Sequence, residues 1–556
     1  MALCLLPMQS FADDVIRLDV GMENGETEDY KVSDTSIILR KEGTVYELTG
    51  STDKKIMVWG SNAPDPAKTF RLRLNGAAIN GGISITNSNG AKLEIEVVSG
   101  TMNTLSFVYT VDLTIFGSGT LNSDSLGVTQ SKSVPNALHI TDTTVNVSVS
   151  GNSDQWNGAC VLDGSANVTY ISSSDYTPLQ IGVGGSSVHS LTLKDNAQLH
   201  CLQADASNAG QYAVDGLDMF GGAGLTLQDN AYLEVEGRDT TGSYQSIGLI
   251  AGGDIRVQGN ATLKARSEGM GVYAPGSLTV DGGTIDAVSQ TACAVYASSS
   301  MTLNNAIVKG IGGDGYYGIY TDGSLSTSNL WIETSLMRED GVADSVLFIG
   351  TNGKVYGSAS IPADVTISAD KTLEIPEGSS LIVPANRTLV NNGTVEVKGS
   401  VVNNGTIICN NHNGGEASCK GPAECSLCGT PYGDPAPDKH GTLVKVDAKP
   451  ATTQEEGNIE YYRCEDCGKL FRDPNGSEEI SLADTVIPKL EERVPVRDDG
   501  YVPNGTPFPS AGGKTNNGDH NPNTGAAPSV RTIALLAGIG LLAALAVCGR
   551  RKGGDR

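Results

Sequence analysis

Basic side chains are scarce: 38 Lys and Arg stand against 63 Asp and Glu, a formal charge of -25. No basic cluster occurs before Arg550-Arg551-Lys552, so nucleic acid and anionic lipid surfaces are excluded as partners, both repelling an acidic chain. Aromatics are also few, at 5%, whereas glycine is abundant with 69 residues. Ser, Thr and Asn accompany it, a composition suited to many tight turns. Cysteine is thinly scattered outside one region, since most of it falls between Cys409 and Cys467. Cys160, Cys201 and Cys293 therefore read as small core residues rather than parts of a disulfide scaffold.

What is present is an internal repeat. GVYAPGSLTV from Gly271, AVYASSSMTL from Ala294 and GIYTDGSLST from Gly318 begin 23 and 24 residues apart. GLIAGGDIRV begins 23 residues earlier at Gly248, and DMFGGAGLTL 30 before that at Asp218. Each unit holds a short apolar strand, a Gly/Ser/Asp/Pro turn, a second strand such as 278–280 and a third around 284–288. Such strands are too short to bury a core alone, but coils stacked about 4.8 Å apart bury one together. The pattern predicts a mainly β chain whose body is a right-handed parallel β-helix.

The coils are legible from residue 71 to 408, closing with the simpler repeats VNNGTV at Val390 and VNNGTI at Val402. Residues 13–70 align with no repeat and are expected to cap the solenoid. LTLKDNAQL, LTLQDNAYL and IRVQGNATL put Asn196, Asn230 and Asn260 at one sharp corner, where Asn tolerates the left-handed conformation, and Gly283 does the same. Aligned units stack Met219, Leu249, Val272, Val295 and Ile319 in one column and Phe220, Ile250, Tyr273, Tyr296 and Tyr320 in the next. Adjacent strand residues point to opposite faces, so the aliphatic column is the core candidate. The tyrosines are then either an outward ladder for sugar rings or a stack that only packs.

Residues 409–489 change chemistry. His412, Cys419, Cys425 and Cys428 make four soft ligands ending in a Cys-x-x-Cys-Gly knuckle, as a tetrahedral zinc site needs. His440, Cys464 and Cys467 look like a worn copy, with Ala451-Thr452-Thr453 where a fourth ligand would stand. Cys425, Cys428, Cys464 and Cys467 alternatively form one zinc-ribbon site, and disulfides compete with both pairings outside a cell. Either way the module is structural, four protein ligands leaving no open position for substrate.

Both ends carry addresses. MALCLLPMQSFA at 1–12 ends in the small-x-small pattern Ser10-Phe11-Ala12 and is expected to be the trailing part of a secretion signal. Residues 490–520 are a Pro/Gly/Asn spacer. Asn521-Pro522-Asn523-Thr524-Gly525 is followed by an apolar run, expected to span the membrane at 532–548, and by the basic tail. This resembles the sorting signal of Gram-positive cell-wall-anchored proteins, in which an LPxTG-type pentapeptide precedes a hydrophobic stop and a positive tail. The resemblance implies attack by a sortase cysteine on the carbonyl of Thr524, release of Gly525 onward, and transfer to a peptidoglycan amine. Asn521 replaces the commoner Leu, which leaves the sortase class open.

These readings imply an extracellular protein held in the cell wall. Its solenoid is similar in architecture to carbohydrate-binding surface proteins, so an extracellular glycan is the expected partner, with Tyr273, Tyr296 and Tyr320 as its contacts. The rival is a polysaccharide lyase or hydrolase using Asp215 and Asp218, with His189 and His200 nearby in sequence. A stalk or protein-binding adhesin is the third reading.

Overall fold

A computed structural model describes residues 15–58, 69–85, 91–128, 137–173, 176–183, 189–204, 213–239 and 246–492. The secretion-signal segment 1–12, the sorting signal 521–556 and nearly all of the spacer 490–520 lie outside the described residues. No helix among the described residues is long and apolar enough to cross a membrane. The described residues form two compact units, one of 15–415 and 424–431, the other of 416–423 and 432–492.

The first unit is a solenoid of parallel strands. Leu278–Ser289 illustrates why. Leu278, Val280, Ile285 and Ala287 alternate inward and are fully buried, while Thr279 and Asp286 between them are half-exposed. Each inward residue stacks on its like: Ile255 on Leu278, Val257 on Val280 and Leu263 on Ile285, then Leu278 on Met301 and Ile285 on Val308. Two of the three strand faces belong to a 25-stranded sheet, and the third is a 14-stranded sheet from Gly25–Glu26 to Ile319–Thr321. One continuous core runs between them, from Leu18 to Leu347, and includes Cys160 and Cys201.

Three expectations change. The stretch read as a cap already contains coils: Val15–Asp19 pairs in parallel with Val45–Thr52, and that strand with Thr69–Ile79. Among the described residues of that stretch, only the antiparallel run Gly25–Glu26, Tyr30–Val32, Ser36–Leu39 departs from the coil pattern. At the corners the left-handed residues are Asp195 (φ 57°), Asp229 (59°) and Gly259 (69°), one position before the asparagines. Asn196, Asn230 and Asn260 instead link coil to coil, Asn230 Nδ2 donating to Asn196 Oδ1 and Asn260 Nδ2 to Asn230 Oδ1, both at 3.1 Å. Gly283 does turn left-handed (φ 76°), and a Cβ there would fall 2.3 Å from Ala261 O. Lastly, the strand Leu217–Met219 pairs Leu217 with Leu249 and Asp218 with Ile250, so the predicted column is two residues out of register at that coil.

At Gly350 the chain reverses. Ser345–Ile349 runs parallel to Leu330–Thr334 but antiparallel to Asn352–Tyr356. Ile332 and Leu347 face the preceding core, whereas Trp331, Val346, Phe348 and Val355 are buried on the other face of the same strands. Leu373 and Val395 continue that second core. Gly353 has no room for a side chain, since a Cβ would meet the Phe348 ring at 2.4 Å. The final coils are narrower, with Thr372 and Thr394, Ser380 and Ser400, and Thr388 and Thr406 paired at separations of 22, 20 and 18 residues.

The second unit is small. Leu443–Val446, Tyr461–Cys464, Leu470–Phe471 and Glu479–Ile480 form an antiparallel sheet, and Ser481 caps the single turn Leu482–Thr485 with Asp484 as its reciprocal partner.

One buried acid ties the early solenoid to pH. Asp154 is 3% exposed and accepts from Leu126 N at 2.5 Å and from Ser125 Oγ. Beside it Trp156 Nε1 donates to Tyr170 Oη at 3.1 Å. Burial lifts Asp154 to about 6 despite those donors. The folded state therefore binds more protons than the unfolded chain between the ordinary carboxyl value of 3.8 and about 6, so this contribution is fullest below that window and is lost as pH rises through it. At about 1.4 kcal/mol per pH unit the loss is about 3 kcal/mol. Unfolding of the parent between pH 4 and 7 should accordingly show a steeper fall in stability than Asp154→Asn, and identical slopes would contradict the assignment.

Candidate functional site

Two groups of four ligands assemble in the Cys-rich region. Cys409, His412, Cys425 and Cys428 lie in the first unit; Cys419, His440, Cys464 and Cys467 lie in the second. Within each group all ligand atoms fall within 4.8 Å of one another. Cys428 Sγ is 3.5 Å from His412 Nδ1, Cys467 Sγ is 3.5 Å from His440 Nδ1, and Cys419 Sγ is 3.7 Å from Cys464 Sγ. A tetrahedron with metal–sulfur arms of about 2.3 Å has edges of about 3.7 Å, so these separations fit a zinc-like ion.

The two knuckles are built alike. Gly429 N donates to Cys425 O at 2.8 Å and Gly468 N to Cys464 O at 3.0 Å, with both glycines left-handed at φ 72° and 74°. Burial pushes Cys425 up, but backbone N–H groups of Cys428 and Asn413 and the His412 ring outweigh it and bring the thiol down to about 6. Cys464 is likewise raised by burial and brought down to about 6 by the N–H groups of Cys467 and Asp466. Each group thus offers at least one thiolate at neutral pH, as zinc requires.

All seven predicted ligands are used, but in a different partition, and an eighth was missed. Cys409 takes the place expected for Cys419 beside His412, and Cys419 supplies the fourth ligand that Ala451-Thr452-Thr453 lacks. Neither the His412, Cys419, Cys425, Cys428 set nor the two-knuckle ribbon assembles. The physical reason is the path of the chain. Cys409 ends the strand Thr406–Cys409 and stands one turn before His412, whereas Cys419 N donates to Lys439 O at 2.9 Å, which brings its thiol beside His440.

The tyrosine column lies on the outer face of the 14-stranded sheet. Val272, Val295 and Ile319 point into the core, as the aliphatic column should, and Tyr273, Tyr296 and Tyr320 pair register by register on the other side. Their faces are spent on each other: Tyr273 and Tyr296 stack at 5.2 Å and 3°, Tyr296 and Tyr320 at 5.9 Å and 26°. Tyr317 stacks on Tyr320 at 5.1 Å, and the Arg338 guanidinium covers both rings. Tyr296 is only 4% exposed, packs with Met270, Ala292 and Cys293, and donates to Asp322 Oδ2 at 2.5 Å. The ladder is a satellite core, closed to a sugar ring except at its edges.

The same column is open farther along. Through successive registers it runs Tyr109, Gly127, Gln155, Gln180, Asp218, Ile250 and Tyr273. Tyr109 and Gln155 are exposed, and Gln180, Asp218 and Ile250 half-exposed. Sequence reasoning missed this run because its members share no residue type, and the register alone unites them.

Of the acid pair Asp218 sits in that column and Asp215 precedes its strand, Leu217–Met219. Burial lifts Asp218 to about 7, helped by the charge of Asp215, and burial lifts Asp215 to about 6 against the N–H of Ile247 at 2.6 Å. His200 belongs to the other sheet, paired with Glu234 at 3.1 Å, and His189 is buried with Nδ1 accepting from Gly158 N at 2.9 Å. The four do not converge on one reacting atom.

A scan against protein-family models and searches of curated proteins and of solved structures returned no match.

Metal analysis of the purified chain should find two zinc ions, falling to one in Cys409→Ser and to one in Cys419→Ser, and to none in the double variant. Two ions retained in Cys409→Ser would show that Cys409 is not a ligand.

Proposed function

We propose that the chain is a wall-anchored surface protein whose right-handed parallel β-helix captures extended polysaccharide along the open outer column. The observation that carries this reading is the run Tyr109, Gln155, Gln180, Asp218, Ile250 and Tyr273, which presents amide, carboxyl and aromatic groups in coil register. A repeat of about 4.8 Å is close to the length of one sugar residue in an extended chain. Side-chain amides and acids recognise sugar hydroxyls, and an aromatic edge borders them. Support for display comes from Asn521-Pro522-Asn523-Thr524-Gly525, the apolar run and the basic tail, in the order a sortase substrate requires. Two structural zinc ions fold the region between solenoid and spacer.

Glycan arrays probed with the exported protein, with released reducing sugar assayed in parallel, test the reading. Gln155→Ala combined with Gln180→Ala should weaken glycan binding about tenfold or more without moving the melting temperature, because both side chains are at the surface. Tyr296→Ala should instead destabilise the fold by about 3 kcal/mol, as large-to-small changes of buried aromatics do. Absence of any retained glycan would overturn the capture reading, and sugar release would replace it with an enzyme. Thr524→Ala should make the protein extractable by detergent alone; a continued need for lysozyme would refute sortase anchoring.

A further inference from the structure

The last coil of a solenoid leaves a strand edge without a neighbour, and an uncovered edge frays or pairs with whatever strand it meets. Here Thr394–Val397 is such a strand. Among the described residues it pairs with Thr372–Ile375 on one side only. Thr394 N donates back to Lys371 O at 3.0 Å, so by the alternation of a parallel ladder both backbone groups of Val395 point to the free side.

Those two groups are taken by one side chain. Asn413 Nδ2 donates to Val395 O at 2.6 Å, and Val395 N donates to Asn413 Oδ1 at 3.2 Å. The amide does for Val395 what the backbone of a further strand would do. Asn411 continues the cover, its Nδ2 donating to Gly393 O at 2.7 Å while its own carbonyl accepts from Asn391 Nδ2 at 3.0 Å.

Asn411 and Asn413 flank His412, a ligand of the first metal group. Asn413 O accepts from Ser426 N at 3.0 Å inside the knuckle. Gly414 and Gly415, both left-handed at φ 79° and 66°, turn the chain tightly against that knuckle. A Cβ on the first would fall 2.0 Å from Ser426 Oγ, and on the second 2.2 Å from Glu424 O. Cys409, at the end of the last coil strand, is the ligand on the near side.

We propose that the metal ion of the first group is the clamp that closes the C-terminal edge of the solenoid: by joining Cys409 and His412 to Cys425 and Cys428 it holds Asn411 and Asn413 on the open backbone of Gly393 and Val395. The inference rests on the metal reading of this group and gives the ion a task distinct from folding the second unit. Two side-chain amides on a short tether lose their hold unless both ends of the tether are fixed, because each hydrogen bond alone contributes about 1 kcal/mol against the cost of ordering its segment.

Amide hydrogen exchange on the full chain, with zinc bound and after chelation, tests it. Chelation is expected to speed exchange of the Val395 amide about tenfold or more, the loss of roughly one hydrogen bond, while coils around 255–311 keep their protection. Asn413→Ala should speed the same amide with zinc content still at two ions, which separates the cover from the clamp. Unchanged exchange at Val395 after the metal has gone would overturn the clamp, as would unchanged exchange in Asn413→Ala. A chain that neither carries zinc nor takes it up would refute the metal reading itself, a failure read directly from the metal analysis.

Discussion

Every coil of the solenoid depends on the next for its backbone hydrogen bonds. The strands are mostly three to six residues long, too short to fold as isolated hairpins, and their N–H and C=O groups find partners only above and below. This constraint fixes the spacing of the coils, and it explains why like residues stack: a side chain must fit the copy of itself one coil away. It also sets the corners. Asp195, Asp229, Gly259 and Gly282 all take positive φ, and at Gly282 a Cβ would come within 2.4 Å of Gly259 O, so the turn needs both the conformation and the missing side chain.

Column formation decides what each face can do. Where consecutive coils repeat an aromatic, the rings pack on each other, and Tyr273, Tyr296 and Tyr320 spend their faces that way. A ladder of identical aromatics is thus more useful as packing than as a platform for sugar rings. Where consecutive coils differ, as at Gln155, Gln180 and Asp218, no stack forms and the polar groups stay turned to solvent. The hairpin at Gly350 adds a further consequence. Reversing the strand direction and moving the core to the opposite face of the shared strands are two halves of one rotation, so the narrow final coils keep the winding sense of those before them.

The sequence was most legible where coils repeat without insertion. Val272, Val295 and Ile319 as core and the end of the coils near Ile408 follow from periodicity alone. It was least legible where spacing changes. Between Asp218 and Gly248 the longer interval hides a two-residue register slip, and only the backbone pairing shows that Asp218, not Phe220, shares a column with the tyrosines. The early coils escaped because their apolar residues alternate without a recurring turn motif. In the metal region the Cys-x-x-Cys-Gly knuckles are local and were visible, whereas the allocation of Cys409 and Cys419 depends on where the chain travels between them. Cys409 was read as the first residue of the Cys-rich region and given no role; it ends the strand Thr406–Cys409, and that position is what makes it a ligand.

The apolar core of the second unit is too small to account for its fold. Among its described residues Ala423, Cys464, Phe471 and Ile480 are the buried apolar side chains, and its strands are two to four residues long. At about 1.5 to 3 kcal/mol for each large side chain, such a core cannot repay the ordering of some seventy residues at about 1 to 2 kcal/mol apiece. A small module in that position needs a staple. Four ligands drawn from Cys419, His440, Cys464 and Cys467 close long loops around one point, and structural zinc returns on the order of 10 kcal/mol or more when it binds. The His440 ring then does double service, packing at 4.4 Å on Phe471 while its Nδ1 faces Cys467. With an ion bound there, folding of this unit and occupation of its site would be one equilibrium, whereas the solenoid has a continuous core of its own to hold its coils.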